Sequence, residues 1–569
     1  MSNKLQGIFS AENKWPILVI VVGTIAWSLT MVRSGLCWGG SCSNGIGFWG
    51  PNGHDGIWHI TMIKSLARGS WEMPIFAGFP IRNYHIGYDF LISMMHKLTL
   101  VDVSTLQFQI IPVVLAILLG IFVHLFVKEW TKSSAASAWT LFFIYFGGSL
   151  GWLVNLLRGG SIDGESVFWA QQSVSTLINP PFAMSLMVMF VALWLMQKSI
   201  GGKSKKYLLV ATFLFGLLIQ IKVYAGVLAL LSLLASGLYL IYKKRNFTVF
   251  RVFAGALLIS LIIFLPMNWG SSSVIEWKPF WFVQTLFEFS DRFNWPRMAS
   301  AIANYRLGGQ WLKYLAAVSV GSVVFIIGNF GTRALSIFYG LKRFRKLDYL
   351  DVFIFSVIAA GIVAPMFFVQ KGTVWNTIQF LYYSLIFSGV LAGIWLSGWL
   401  SDLKFNVLKY LFAGLIVALT IPTTLATLRF HYLPNRPPAR LSTQELEALE
   451  FLSTQADGVV LVQPFDAQAA LEAQSHPPRP LYLYESSAYV SAYSNKPLFM
   501  EDEVNLNITG YNWSTRRAET EKFFEFNDME FLTKNNINYL YLLKEKEETV
   551  HMFELKNIFE NDEVVIFKV

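Results

Sequence analysis

The chain is 569 residues long with 54% hydrophobic, 16% aromatic and only 14% charged residues, a balance that excludes a soluble globular protein and reads as a polytopic membrane protein. The net charge of +9 hides a split, with 33 Lys and Arg against 14 Asp and Glu in residues 1–434 and 12 against 22 in residues 435–569. The basic excess gathers at the ends of apolar runs, where it sets orientation, so it does not mark a nucleic-acid partner.

In chain order, Lys4 and Lys14 precede an apolar run over 16–32 that is long and has no small-residue cleavage site, which predicts a retained first helix. Polar residues dominate 34–104, the first long loop. It holds both cysteines, Cys37 and Cys42, whose spacing allows either two free thiols or a small local disulfide on an oxidising side. Helices follow over about 106–127 and 135–157, then a second polar loop at about 158–180 and a helix over 181–197. The apolar stretch 207–242 is too long for one crossing and short for two. It is interrupted only at Gln220-Ile221-Lys222, which predicts two shortened helices meeting at Lys222. A helix over 252–266 leads to the third long loop, 268–313, rich in Trp, Phe and Arg. Helices over 314–338, 352–370, 378–400 and 410–428 bring the expected total to eleven.

Short loops with clustered cations, 198–206, 243–251 and 341–346, alternate onto one side, which the positive-inside rule makes cytoplasmic. The N-terminus is then cytoplasmic. The three long loops, the Lys222 turn, the 371–377 loop and the tail face the extracytoplasmic side. Residues 1–433 are read as a membrane domain and 434–569 as a small soluble α/β domain joined through a stiff Pro434-to-Pro438 linker. Ser442-Thr443-Gln444-Glu445 has the form of a capping box, and the runs at 458–462, 537–541 and 564–567 are β-rich.

Chemistry concentrates in the first loop, at Asn52-Gly53-His54-Asp55-Gly56-Ile57-Trp58-His59, where an acid lies between two histidines. A helix from Asp55 to about Ala67 would carry Asp55, His59, Met62, Ile63 and Leu66 on one face and Thr61, Lys64, Ser65 and Arg68 on the other, as an interfacial amphipathic helix does. Asp55 is read either as a helix cap or as a catalytic base, roles that are compatible. His54 and His59 could help it hold a divalent metal, although no third or fourth ligand stands at diagnostic spacing, or could orient carboxylate or substrate. His85 reads as a loop histidine that could also meet substrate. Lys222 is a basic residue deep in an apolar stretch, either a phosphate-binding cation or a lysine reaching the interface. Asn179 before helix four, and Lys371 and Asn376 before helix ten, add polar groups at the same level. Arg292, Arg297 and Arg306 stand among Trp295, Tyr305 and Trp311, suiting an anionic headgroup, a sugar or interface anchoring.

The layout resembles the GT-C superfamily of integral membrane glycosyltransferases: many helices, a long first extracytoplasmic loop with an acidic catalytic residue, and often a soluble C-terminal domain. The matching residues are Gly53-His54-Asp55 with His59, then Gly69-Ser70-Trp71-Glu72-Met73-Pro74 and Gly78-Phe79-Pro80. The sequence departs from the oligosaccharyltransferase pattern in lacking Asp-x-Asp in an outer loop and a Trp-Trp-Asp motif, and it lacks the Asp-Glu pair of protein mannosyltransferases. The resemblance implies a polyprenyl-phosphate-linked sugar donor and a glycan or lipid acceptor, with membrane lipids around the chain and no required cofactor. By the same resemblance Asp55 is the base, helped by His54 and His59, with Lys222 and Lys371 on the leaving phosphate. A transporter, a lipid flippase or a non-catalytic surface-assembly protein is the alternative class. The nearly bare helix interiors, with polar residues gathered at one face, favour the enzyme.

Overall fold

All eleven apolar segments fold as helices in the computed structural model, which describes residues 13–200, 202, 204–268, 275–544 and 555–569. Parts of the basic 198–206 loop and of the third long loop lie outside the described residues. Among those described, eight helices are long and apolar enough to cross a membrane, or nine if the bent pair Ser134–Phe146 and Gly151–Leu157 is one span. The expected count of eleven spans is therefore not reached. Lys14–Ser28 has 15 residues and Lys205–Ile221 has 17, short of the ~20 that a straight crossing takes.

The described residues divide into two compact units. The first draws on the described residues within 1–29, 113–266 and 272–432 and contains most of the apolar helices. Its centre is the helix Gln379–Asp402, which packs against Ser134–Phe146. At Gly393 the two come so near that an added Cβ would lie 2.4 Å from the backbone nitrogen of Thr140. Where polar contacts have no water to compete with, such small-residue approaches carry helix association. The 57° break after Phe146 holds a second close approach, where a Cβ on Gly148 would sit 2.5 Å from Thr423 Oγ1. The helix Thr248–Asn268, by contrast, leaves Leu258, Leu261 and Ile262 exposed, as a lipid-facing helix does.

The second unit joins Thr30–Pro112 to the described residues of 433–569. The first loop thus folds with the tail instead of with the membrane helices to which it was assigned from sequence. Strand pairing is the reason: Ile46–Phe48 lies antiparallel to Ala439–Leu441, with Ile46 opposite Leu441 and Phe48 opposite Ala439. Leu36–Cys37 extends that sheet on one side and Arg479–Pro480 on the other. A second sheet has the order Val459–Val462, Ile537–Leu543, Val564–Lys568, Lys556–Glu560, so each β-rich run in the tail sequence is a strand. Ser442 caps Thr443–Thr454 by accepting the Glu445 amide at 3.0 Å.

Pro434 to Pro438 is not a free linker. The Pro434 carbonyl accepts Arg33 at 3.1 Å and the Trp49 indole at 2.8 Å, and the Asn435 carbonyl accepts the Trp38 indole at 3.2 Å. Cys37 and Cys42 form a disulfide across a Cα separation of 4.7 Å, closing the turn at the sheet's edge.

Candidate active site

Asp55 is the first residue of the helix Asp55–Ala67, directly after the 3-10 turn Gly50–Gly53. Two features hold that turn. The Asn52 amide is buried and donates to the Thr30 carbonyl at 2.8 Å and to Ser34 Oγ at 3.0 Å. Both glycines flanking the His-Asp pair lie close to aromatic rings: a Cβ on Gly56 would clash at 2.4 Å with the Phe108 ring, and one on Gly53 would lie a tight 3.1 Å from Tyr484. The glycines thus serve a close approach of backbone to aromatic rings as well as the turn itself.

Asp55 does not cap the helix. His54 holds the cap position, and no side chain there accepts a backbone N–H. The Asp55 side chain is 45% exposed, against 7% for His54 and 0% for Asp502. His54 lies between those two acids, Nδ1 at 3.0 Å from Asp55 Oδ1 and Nε2 at 3.3 Å from Asp502 Oδ1. Burial alone would lower the imidazole's pKa, but Asp502 and Asp55 outweigh it and hold His54 well above its usual value. His54 is then an imidazolium that donates from both nitrogens. Asp502 is also fixed from its own side, accepting the Asn505 amide at 3.0 Å and the Asn505 side chain at 2.8 Å. Glu485 senses the same cluster; burial first, then Asp55 and Asp502 against the opposing His54, pushes its carboxyl up.

His59 does not join Asp55. Its Nδ1 binds buried Asp89 at 2.8 Å, whose other oxygen accepts Tyr84 Oη at 3.1 Å, and that phenol accepts the Trp58 indole at 2.9 Å. This chain locks Asp55–Ala67 against Gly87–Thr99, a structural role. His85 packs its ring on Tyr84 at 4.7 Å. The expected interfacial face on Asp55–Ala67 is absent as well. Thr61 and Ser65 are buried beside the apolar residues, and Thr61 donates to Ser491 at 2.6 Å, because the tail covers the side that was read as polar.

In the membrane unit, Lys222 breaks the apolar stretch with extended backbone between Lys205–Ile221 and Val223–Lys244. It is 4% exposed, so it does not reach for an interface. Its Nζ donates to Asn179 Oδ1 at 3.2 Å and lies 5.5 Å from the Tyr224 ring centre. Asn179 also accepts the Phe182 amide at 3.1 Å, capping Pro180–Ile200. Tyr224 donates to Gln370 Oε1 at 3.3 Å, and the Asn376 amide reaches the same oxygen at 2.8 Å. Lys222, Asn179 and Asn376 therefore belong to one polar network. Lys371 is exposed beside it, and Arg306 is exposed at the end of Pro296–Leu307, with no contact to that network.

Sequence reasoning missed Asp502, Asp89 and Arg333. Asp502 stands in Glu501-Asp502-Glu503, which reads as a solvated acidic run. Arg333 was hidden in a helix end; it is 1% exposed and its guanidinium donates to the carbonyls of Asn329 at 2.9 Å and Phe330 at 3.2 Å and to the Gln172 side chain. Among the described residues, no three His, Cys, Asp or Glu side chains are placed to hold a metal ion together.

No family model and no curated protein sequence matches the chain. Solved structures do. The oligosaccharyltransferase of Archaeoglobus fulgidus, tethered to an acceptor peptide containing the NVT sequon, aligns at 13% identity and a TM-score of 0.55, covering 95% of this chain and 70% of that one. The AglB oligosaccharyltransferase of the same organism, in complex with an inhibitory peptide and a dolichol-phosphate, aligns at 13% identity and 0.51 over 94% and 70%. The arabinofuranosyltransferase AftD from Mycobacteria aligns at 11% and 0.52, covering 98% of this chain and 40% of that one. At such identities the backbone plan is what is shared. Over nearly its whole length the chain therefore has the fold of these solved membrane transferases, and it is the fold that the comparison shows.

Proposed function

We propose that the chain is a membrane glycosyltransferase that moves a sugar from a polyprenyl-phosphate-linked donor to an acceptor hydroxyl at the outer membrane face, in the building of a surface glycan or the modification of a lipid. The observation that carries this reading is the Asp55 carboxylate. One of its oxygens is fixed by His54, itself clamped by Asp502, while the side chain stays nearly half exposed in an otherwise buried setting. A base needs that combination of fixed orientation and access.

In the reaction, Asp55 takes the proton as the acceptor oxygen bonds to the anomeric carbon. The bond from that carbon to the phosphate oxygen breaks, and the electron pair leaves with the lipid phosphate. Within the membrane helices, the buried Lys222 is a cation of the kind that suits a phosphate anion. Support for an outer location comes from the Cys37–Cys42 disulfide, which belongs to oxidising compartments. Because strands of the first loop and the tail pair, both lie on one side of the membrane. The similarity to an enzyme solved with dolichol-phosphate supports a lipid-linked donor.

The test is Asp55→Asn, assayed on purified protein with polyprenyl-phosphate sugars. Because Asp55 caps nothing, the thermal midpoint should hold while transfer falls by about a hundredfold or more. Transfer at the wild-type rate removes Asp55 from the chemistry.

A further inference from the structure

A pocket of about 390 Å³ lies where three segments of the second unit meet: the turn closed by the Cys37–Cys42 disulfide, the stretch that enters the strand Ala439–Leu441, and residues 475–478 before Arg479–Pro480. Its volume falls within the roughly 300–1,000 Å³ of ordinary ligand pockets, enough for one sugar ring with a substituent. It shares no residue with the Asp55 cluster.

Arg436 and Arg440 line the pocket, and no Asp or Glu does. Strand register leaves Arg440 unmatched, since the residues opposite it are Gly47 and Pro480, which carry no acid. Among the described residues neither guanidinium forms a hydrogen bond or an ion pair. Glu445 does feel the Arg440 charge, but burial and then Glu563 push its carboxyl up to about 8, so near neutral pH it is protonated and cancels little of that charge. Trp38 stands in the same wall. Its indole donates to the Asn435 carbonyl at 3.2 Å, and its backbone donates to the Gly45 carbonyl at 2.8 Å and accepts the Asn44 amide at 3.2 Å. With Nε1 engaged, what the indole gives the pocket is carbon surface. Asn44 and Ser475 add neutral polar groups, and Pro477 and Pro478 stiffen the third segment.

A planar guanidinium matches the paired oxygens of a carboxylate or phosphate, which neither an amine nor a neutral sugar supplies. A pyranose ring presents C–H groups to an indole and hydroxyls to amide and hydroxyl side chains. A bare phosphate would use the arginines and leave the indole uncovered. We propose that this pocket binds one acidic sugar unit, a uronate or a sugar phosphate, holding its anionic group on Arg436 and Arg440 and its ring against Trp38. This goes beyond the transfer reading, because the second unit then grips an acidic glycan through residues that take no part in the Asp55 cluster.

Saturation-transfer NMR on the full chain in phosphatidylcholine nanodiscs tests this with methyl glucuronide, glucose 1-phosphate, methyl glucoside and glycerol 3-phosphate, the last being the phosphate of a lipid headgroup without a ring. At least one acidic sugar should bind, and at least about tenfold more tightly than methyl glucoside or glycerol 3-phosphate. The double variant Arg436→Gln/Arg440→Gln replaces side chains that hold nothing among the described residues. It should keep the wild-type thermal midpoint and lose about tenfold or more in affinity for the acidic sugar. The proposal is overturned if neither acidic sugar binds, if the double variant binds as well as wild type, or if methyl glucoside binds equally. Glycerol 3-phosphate binding as tightly as glucose 1-phosphate also overturns it, and makes the pocket a headgroup-phosphate site. Binding needs neither donor nor Asp55, so a chain that binds the acidic sugar but transfers nothing would sink the glycosyltransferase reading alone. Transfer activity without such binding would sink the pocket alone.

Discussion

At the scale of single residues the cluster works through His54, whose charge depends on two acids 447 positions apart in sequence, Asp55 and Asp502. Removing either acid should therefore change when the imidazole titrates. Asp502→Asn is the cleaner variant, since Asn caps Glu503–Thr509 about as well as Asp does and the fold is spared. Without the Asp502 charge and hydrogen bond, the larger of the two raising influences against burial, the His54 pKa falls. The sign follows: wild-type His54 stays charged as pH rises and loses its proton only above the raised value, whereas the variant loses it earlier. The alkaline limb of the rate profile should move to lower pH, so that the variant's loss of rate grows as pH rises. An unchanged profile accompanied by a uniform loss would mean that Asp502 only props the fold.

At the scale of elements, Lys222 shows what a break in a helix pattern is worth. Gln220-Ile221-Lys222 was visible as the sole interruption of a long apolar run, and the chain turns extended there. The residues it meets could not be read from spacing, because Asn179 and Tyr224 reach it from different helices and Gln370 joins through Tyr224. Lys222→Met keeps the stem's volume and removes the cation, so turnover should fall about tenfold to a thousandfold, read as kcat on the purified variant at unchanged thermal midpoint. Wild-type turnover at full expression would leave Lys222 a structural ligand of Asn179. The same contrast runs through the site. A helix from Asp55 to about Ala67 was legible, because period and apolarity are local properties of the chain. That helix nonetheless came out buried instead of interfacial, and His59 came out bound to Asp89, because the covering surfaces arrive from residues 87–99 and 489–494 and leave no mark on the helix's own pattern.

At the scale of the molecule, the second unit buries some of the acids that make the tail acidic. Glu445 is 1% exposed and Glu501 7%. Burial, with Glu563 beside Glu445 and Asp502 beside Glu501, pushes both carboxyls up to about 8. An unfolded glutamate titrates near 4.3, so in each case the folded pKa is raised above the unfolded one. The stability each contributes is whole below about pH 4 and is lost progressively as pH rises through 8. His54 adds to the same trend, being raised as well, and its share is lost above the unfolded value of about 6.5 as pH climbs through its folded one. Asp163 has the opposite sign, its carboxyl lowered chiefly by the hydrogen bond from His431, but it titrates below the window in question. Thermal unfolding of the purified chain between pH 5 and pH 8 should thus show the tail's transition falling as pH rises. Glu445→Gln isolates one contribution, because the amide matches the protonated acid in shape and cannot ionise. The variant should lose part of that slope and be the more stable protein at pH 8, by on the order of a few kcal/mol before local relaxation trims it. A slope identical to wild type would show that Glu445 ionises as freely in the folded chain as in water, and that its burial carries no electrostatic cost.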